Sequence, residues 1–149
     1  MMTNHARDAI LESLAVGSAL GFLTLLLAVM SIVNDSRIVA NEEAALARPD
    51  ASVLVLSRTP DPGFGRIYAI KESSGPSYGA VFSGRSRDAS AVFAAIFSPK
   101  GELRELRLVG SCAARLPEDA RNAVDSLPGA EETLERASKA AMAAAEADS

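Results

Sequence analysis

Histidine and cysteine each occur once in the chain, as His5 and Cys112. A single cysteine excludes an intramolecular disulfide, and no CxxC or Cys/His cluster exists to hold zinc or an iron–sulfur centre. Cys112 reads as a small packed residue. His5 lies in a polar N-terminal tail, with neither a second ligand nor a nucleophile beside it in sequence, and is given no catalytic role. Segregated charge is lacking too. From Asn34 onward fourteen Lys/Arg are interspersed with seventeen Asp/Glu, without the basic stripe that nucleic-acid binding requires. No serine, cysteine or carboxylate pair comes with a recognisable base and orienting group, so a hydrolase or transferase ranks last among the function classes.

What the chain does have is one long apolar run. LAVGSALGFLTLLLAVMSIV, Leu14 to Val33, holds twenty residues without a charge; as a helix it rises about 30 Å, the thickness of the hydrocarbon core. A membrane-spanning anchor is the expected role. A cleaved signal peptide is the competing reading, but the run exceeds the usual apolar stretch of about 7–15 residues and no A-x-A pattern follows it closely. Orientation is barely decided by charge, since Arg7 and the terminal amine precede the helix and Arg37 follows it. Gly17 and Gly21, with Ser13 one turn earlier, form a flat strip on which another helix could pack, although small residues are common in such helices.

The remainder divides into a linker and a domain. The expected boundaries are a short tail over 1–13, the anchor over 14–33, a juxtamembrane helix or linker over 34–50 and a folded domain over 51–149. SRIVANEEAALARPD reads as a short helix stopped at Pro49. Extended segments follow at Ser52 to Arg58, Ile67 to Ile70, Tyr78 to Phe82 and Ala91 to Ser98, separated by TPDPGFG, SSGPS and GRSRD. ELRELRLVG comes after a compact Pro99-Lys100-Gly101 connection. Leu103, Leu106 and Leu108 do not alternate strictly, so helix stays open there, but a bulged strand is preferred beside its β-rich neighbour. These segments predict an antiparallel meander. Pro117 with Glu118 and Asp119 marks a helix start, with Ala120, Ala123, Val124 and Leu127 facing inward and an end by Pro128. AEETLERASKAAMAAAEA is a strong helix former with Leu134, Ala137 and Ala141 on its inner face. The fold class is therefore α+β: one N-terminal transmembrane helix, then a small antiparallel sheet packed with C-terminal helices.

Three pieces carry a family resemblance: the anchor followed by SRIVANEEAAL, the turn and strand PKGELRELRLVG, and the tail DSLPGAEETLERASKAAMAAA. In this order they resemble the FMN-binding G subunit of Rnf-type electron transport complexes, related to the C subunit of the sodium-pumping quinone reductase. In that family the tail reads approximately D-x-hydrophobic-S-G-A-T before a helix, and FMN is esterified through its phosphate to the threonine. Asp125, Leu127, Gly129 and Ala130 fit this pattern. Pro128 stands where the family has serine, and Glu131 where it has the flavinylated threonine; a carboxylate cannot form that phosphoester. Thr133 lies two residues further on, where the family often has a second hydroxyl residue. SCAARLPED stands where the family has E-T-P-G-L-G near the flavin.

The resemblance implies FMN as the cofactor, with Gly129, Ala130 and Thr133 as its binding positions, and other membrane subunits of an electron transport complex as partners. Location would be the inner (plasma) membrane, with the C-terminal domain on the extracytoplasmic, periplasmic side. Chemistry would then belong to the flavin and no catalytic side chain is expected. From the residues alone, Gly129 at a helix start with free N–H groups from Ala130 onward could bind phosphate, against Glu131 and Glu132, or could simply be a turn. The alternative function, from another class, is a cofactor-free, membrane-anchored structural or assembly protein that keeps the fold.

Overall fold

The computed structural model describes residues 4–57, 61–112 and 116–148, with side chains from residue 14 onward. Arg58, at the end of the first expected strand, and residues 113–115 of SCAARLPED lie outside that set. Two compact units are present, residues 1–40 and 41–149.

The first helix, α1, runs from Asn4 to Leu46. The expected short helix after the anchor is not a separate element; it is the last part of this one. Nothing between Val33 and Leu46 is glycine or proline, so no residue breaks the i to i−4 ladder. In the first unit every large apolar side chain from Leu14 to Val33 is exposed, from 45% at Leu26 to 68% at Phe22. Burying such a side chain is worth about 1.5–3 kcal/mol. A helix apolar all round is one built for apolar surroundings, and this one is long and apolar enough to cross a membrane.

The second unit is built on five strands, β1 (Ser52–Val55), β2 (Ile67–Glu72), β3 (Gly75–Arg85), β4 (Ser90–Phe97) and β5 (Leu103–Cys112), in the spatial order of the sequence and antiparallel throughout. β5 is a strand, and its pairing with β4 shifts register twice, between Val92/Phe93 and between Ile96/Phe97. The shifts pass over Val109 and Arg104, which is why its leucines fail to alternate. The β4–β5 connection turns at Gly101, at φ +79°, with its N–H donating to the Ser98 carbonyl at 2.9 Å.

Alternate residues of the strands feed two apolar layers. Tyr78, Ala80, Phe82, Phe93, Ala95 and Phe97 point to the side covered by α2 (Ala120–Ser126) and α3 (Ala130–Ala147), with Phe82 and Phe93 stacked at 5.2 Å. Ala123, Val124, Leu134, Ala137 and Ala141 are buried there as their spacing predicts. α2 begins at Ala120, three residues after Pro117, because Asp119 caps it, accepting from the Asn122 N–H at 3.2 Å. Tyr68, Ile70, Val81, Ala94 and Ile96 point to the opposite side, where Leu46 packs on them.

Candidate functional site

The residues singled out by the tail pattern meet at the corner between α2 and α3. Leu127 and Ala130 are buried, while Pro128 and Gly129 lie exposed between them. Gly129 adopts φ +76°, ψ −5°, the left-handed region open to glycine at least cost. The Ala130 N–H donates to the Leu127 carbonyl at 3.1 Å, so the first donor expected to be free for a phosphate is engaged in the turn. Ala130 itself packs under β3: a Cβ on Gly84 would lie 3.1 Å from the Ala130 Cβ.

The Glu131 carboxylate lies 3.2 Å from the Arg121 guanidinium, which also stands 3.5 Å from Asp125. Both acids are well exposed, so each pair contributes at most about 1 kcal/mol. Their effect is on local charge, since the arginine that could face an anion faces two carboxylates instead. The Thr133 hydroxyl, half-buried in the first turn of α3, donates to the Gly129 carbonyl at 2.8 Å. Gly129, Ala130, Glu131 and Thr133 are thus brought together, and each is tied into the helix–helix connection.

A second polar centre lies on the other side of the sheet. Glu42, near the end of α1, receives the Tyr68 hydroxyl at 2.5 Å and stands 3.6 Å from the Arg66 guanidinium. Tyr68 is fully buried and Arg66 nearly so. Burial, then the hydrogen bond to Glu42 and that carboxylate's charge, push the Tyr68 hydroxyl well above its ordinary value of 10.0. Gly65, at φ +70°, leaves room for the Glu42 carboxylate, which would sit 2.6 Å from a Cβ there. Arg48 bridges Glu72 at 2.5 Å and Glu105, which also stands 2.8 Å from the Arg107 guanidinium. Sequence reading missed these groupings. Their members come from α1, the segment after it, the segment before β2, β2 and β5, and no local spacing relates them.

Two clefts of similar size open on this unit. One, about 400 Å³, is apolar and lies beside Leu56, Phe64, Ile67, Ala140 and Ala144. The other, about 450 Å³, lies across the ends of β3, β4 and β5 beside Ser83, Arg85, Ser90, Val92 and Cys112. Cys112 is exposed and not packed as its small size suggested; it ends an edge strand, on the far side of the sheet from the helices. Among the described residues no group of three or more His, Cys, Asp or Glu could hold a metal ion.

No known family, curated protein or solved structure matches the chain.

In the Glu42 centre the hydroxyl beside the carboxylate, that of Tyr68, is fully buried. The Glu42 centre joins one carboxylate to Tyr68 and Arg66, and the α2–α3 corner presents exposed acids around an internally bonded turn. What both arrangements do is hold elements together: Glu42 fixes the end of α1 to the sheet, and the Gly129 corner sets α3 across it.

Proposed function

We propose that the protein is a single-pass inner-membrane protein, anchored by Leu14 to Val33, and a G-subunit-like structural member of an Rnf- or Nqr-type complex that couples electron transfer to ion translocation. Its domain stands on the extracytoplasmic side and contacts the other membrane subunits without carrying covalent FMN. The observation that carries this reading is at position 131. The tail pattern calls there for a threonine, and the side chain present is a carboxylate, standing 3.2 Å from Arg121.

A second reading, flavin attached at Thr133, draws on one feature: this hydroxyl stands in the first turn of α3, two residues from the position the pattern specifies. Against it, the hydroxyl already donates to the Gly129 carbonyl.

Co-expression with a flavin transferase tests both readings, by in-gel flavin fluorescence and intact mass. The expected result is no adduct on the wild type and an FMN phosphoester on Glu131→Thr. A wild-type adduct lost in Thr133→Ala would replace the structural reading with a flavin carrier. No adduct on any version would remove the tie to flavin-bearing complexes and leave an anchored structural protein.

A further inference from the structure

α3 presents two stripes of alanine. Ala137, Ala141 and Ala145 are buried against the sheet. Ala140, Ala143, Ala144 and Ala147 follow the i, i+3, i+4, i+7 spacing of one helical face and form one wall of the apolar cleft of about 400 Å³. Leu56, Phe64 and Ile67 stand on its other side, with Phe64 and Ile67 buried. Along the helix wall each side chain is a single methyl group, so a gap stays open that longer side chains there would close.

The surround of the cleft is held in place without a ligand. Asp61 and Gly65 exchange backbone hydrogen bonds at 2.5 and 3.0 Å, closing the turn that carries Phe64. The Arg136 guanidinium, on α3, donates to the Asp61 carboxylate at 2.6 Å and ties that turn to the helix. A preformed, mostly apolar cleft of this volume falls within the roughly 300–1,000 Å³ of small-molecule sites.

Charge at the cleft is of one sign. Among the described residues, the ionisable side chains that border it are Asp61 and Asp148. Asp61 is engaged, by Arg136 and by the Gly63 N–H at 2.7 Å. Asp148 caps the end of α3, whose last turn holds Glu146 and no basic residue. A helix C-terminus carries about half a negative charge on its last carbonyls and is stabilised by cations. Two carboxylates there set like charge beside like, and a positive group is the partner this end of the cleft lacks.

We propose that the cleft binds a small organic cation, an ammonium attached to an aryl or branched alkyl body. The body lies between the alanine wall and Phe64, and the ammonium lies at Asp148 and the end of α3. An anion of the same shape meets like charge there. Charge complementarity at Asp148 thus selects a cation over an acyl chain or an apolar segment of another protein.

The test uses the full chain in phosphatidylcholine nanodiscs, whose headgroups carry no net charge, with empty nanodiscs as the blank. Phenethylammonium is the probe and phenylpropionate its anionic counterpart; calorimetry and saturation-transfer NMR read binding. Phenethylammonium is expected to bind saturably and about tenfold more tightly than phenylpropionate, because exchanging attraction for repulsion counts the charge pair twice. Asp148→Asn, at an exposed position, is expected to weaken the ammonium about two- to fivefold, the size of one solvent-screened pair. Ala143→Phe, also at an exposed position, puts a ring into the cleft and is expected to abolish binding. Ala147→Phe does the same one turn on and covers the case in which the first variant does not fold. Absence of saturable ammonium binding overturns the proposal. So does equal affinity for phenylpropionate, an affinity unmoved by Asp148→Asn, or binding that survives both phenylalanine variants.

Discussion

Leu46 is seated on Gly79: a Cβ at position 79 would lie 2.7 and 2.9 Å from the two Leu46 methyl carbons. Leu46 is fully buried at the very end of α1, and Gly79 sits in the middle of β3, so the absence of a side chain on the strand makes the place for the helix end. Gly79→Val is expected to destabilise the second unit by roughly 1–3 kcal/mol through overpacking, and Leu46→Ala by about 2–5 kcal/mol through the cavity left behind. Urea unfolding of the detergent-solubilised chain measures both. Near-additive costs in the double mutant would count against direct packing of these two residues.

The tyrosines give a pH dependence with a defined sign. Burial raises the Tyr68 and Tyr78 hydroxyls above 10.0, helped by Glu42 at Tyr68 and by Asp148 at Tyr78. Raised folded-state values mean that the folded chain holds these protons more tightly than the unfolded one. Their contribution is fully present below pH 10 and is lost as pH rises through and above that value. With two tyrosines and no tryptophan, tyrosinate absorbance reads these two groups alone. Ionisation is expected to begin above the free-tyrosine range and to coincide with unfolding. A titration near 10 in the still folded chain would contradict the burial of both rings.

Tyr68→Phe isolates the Glu42 centre. It leaves the carboxylate facing Arg66 without its hydroxyl donor, an expected loss of roughly 1–3 kcal/mol at neutral pH. Glu42→Ala removes both the acceptor of the Tyr68 hydroxyl and a carboxylate facing Arg66, and is expected to cost more than Tyr68→Phe. Thermal melts compare them; the reverse order would mean that Glu42 contributes less to this centre than the tyrosine hydroxyl does.

Gly129 and Gly101 separate conformational strain from crowding. Both have positive φ, but a Cβ on Gly129 meets nothing within 4 Å, whereas one on Gly101 would lie 2.6 Å from Met142 Cγ. Gly129→Ala is expected to cost about 1–2 kcal/mol from the left-handed backbone alone. Gly101→Ala adds the displacement of Met142 and is expected to cost more. Equal losses in denaturant midpoint would show that Met142 moves aside freely.

Membrane anchoring has its own test. The chain is expected to resist alkaline carbonate extraction and to retain residues 1–33 by intact mass, whereas a mature form beginning after Val33 would make the run a cleaved signal.

Much of the fold is legible because periodicity records burial directly. The β-branched runs give β1 to β4, Pro99-Lys100-Gly101 gives the β4–β5 turn, and Leu134, Ala137 and Ala141 fall on one helical face and are buried. β5 was the ambiguous segment for a physical reason, since each register shift moves its side-chain alternation out of phase. At the candidate site, the tail pattern found the Gly129 turn but not the Ala130–Leu127 hydrogen bond that closes it. Cys112 is exposed; small size suits burial but does not ensure it.

Residue type and local spacing are enough to establish the apolar run from Leu14 to Val33, the strand and helix segments, and the carboxylate at position 131. Folding alone brings Glu42 to Arg66 and Tyr68, seats Leu46 on Gly79, and places β1 at one edge of the sheet. Those relations arise between segments distant in the chain, and side-chain burial preference states that a residue needs a partner without naming which one folding will bring.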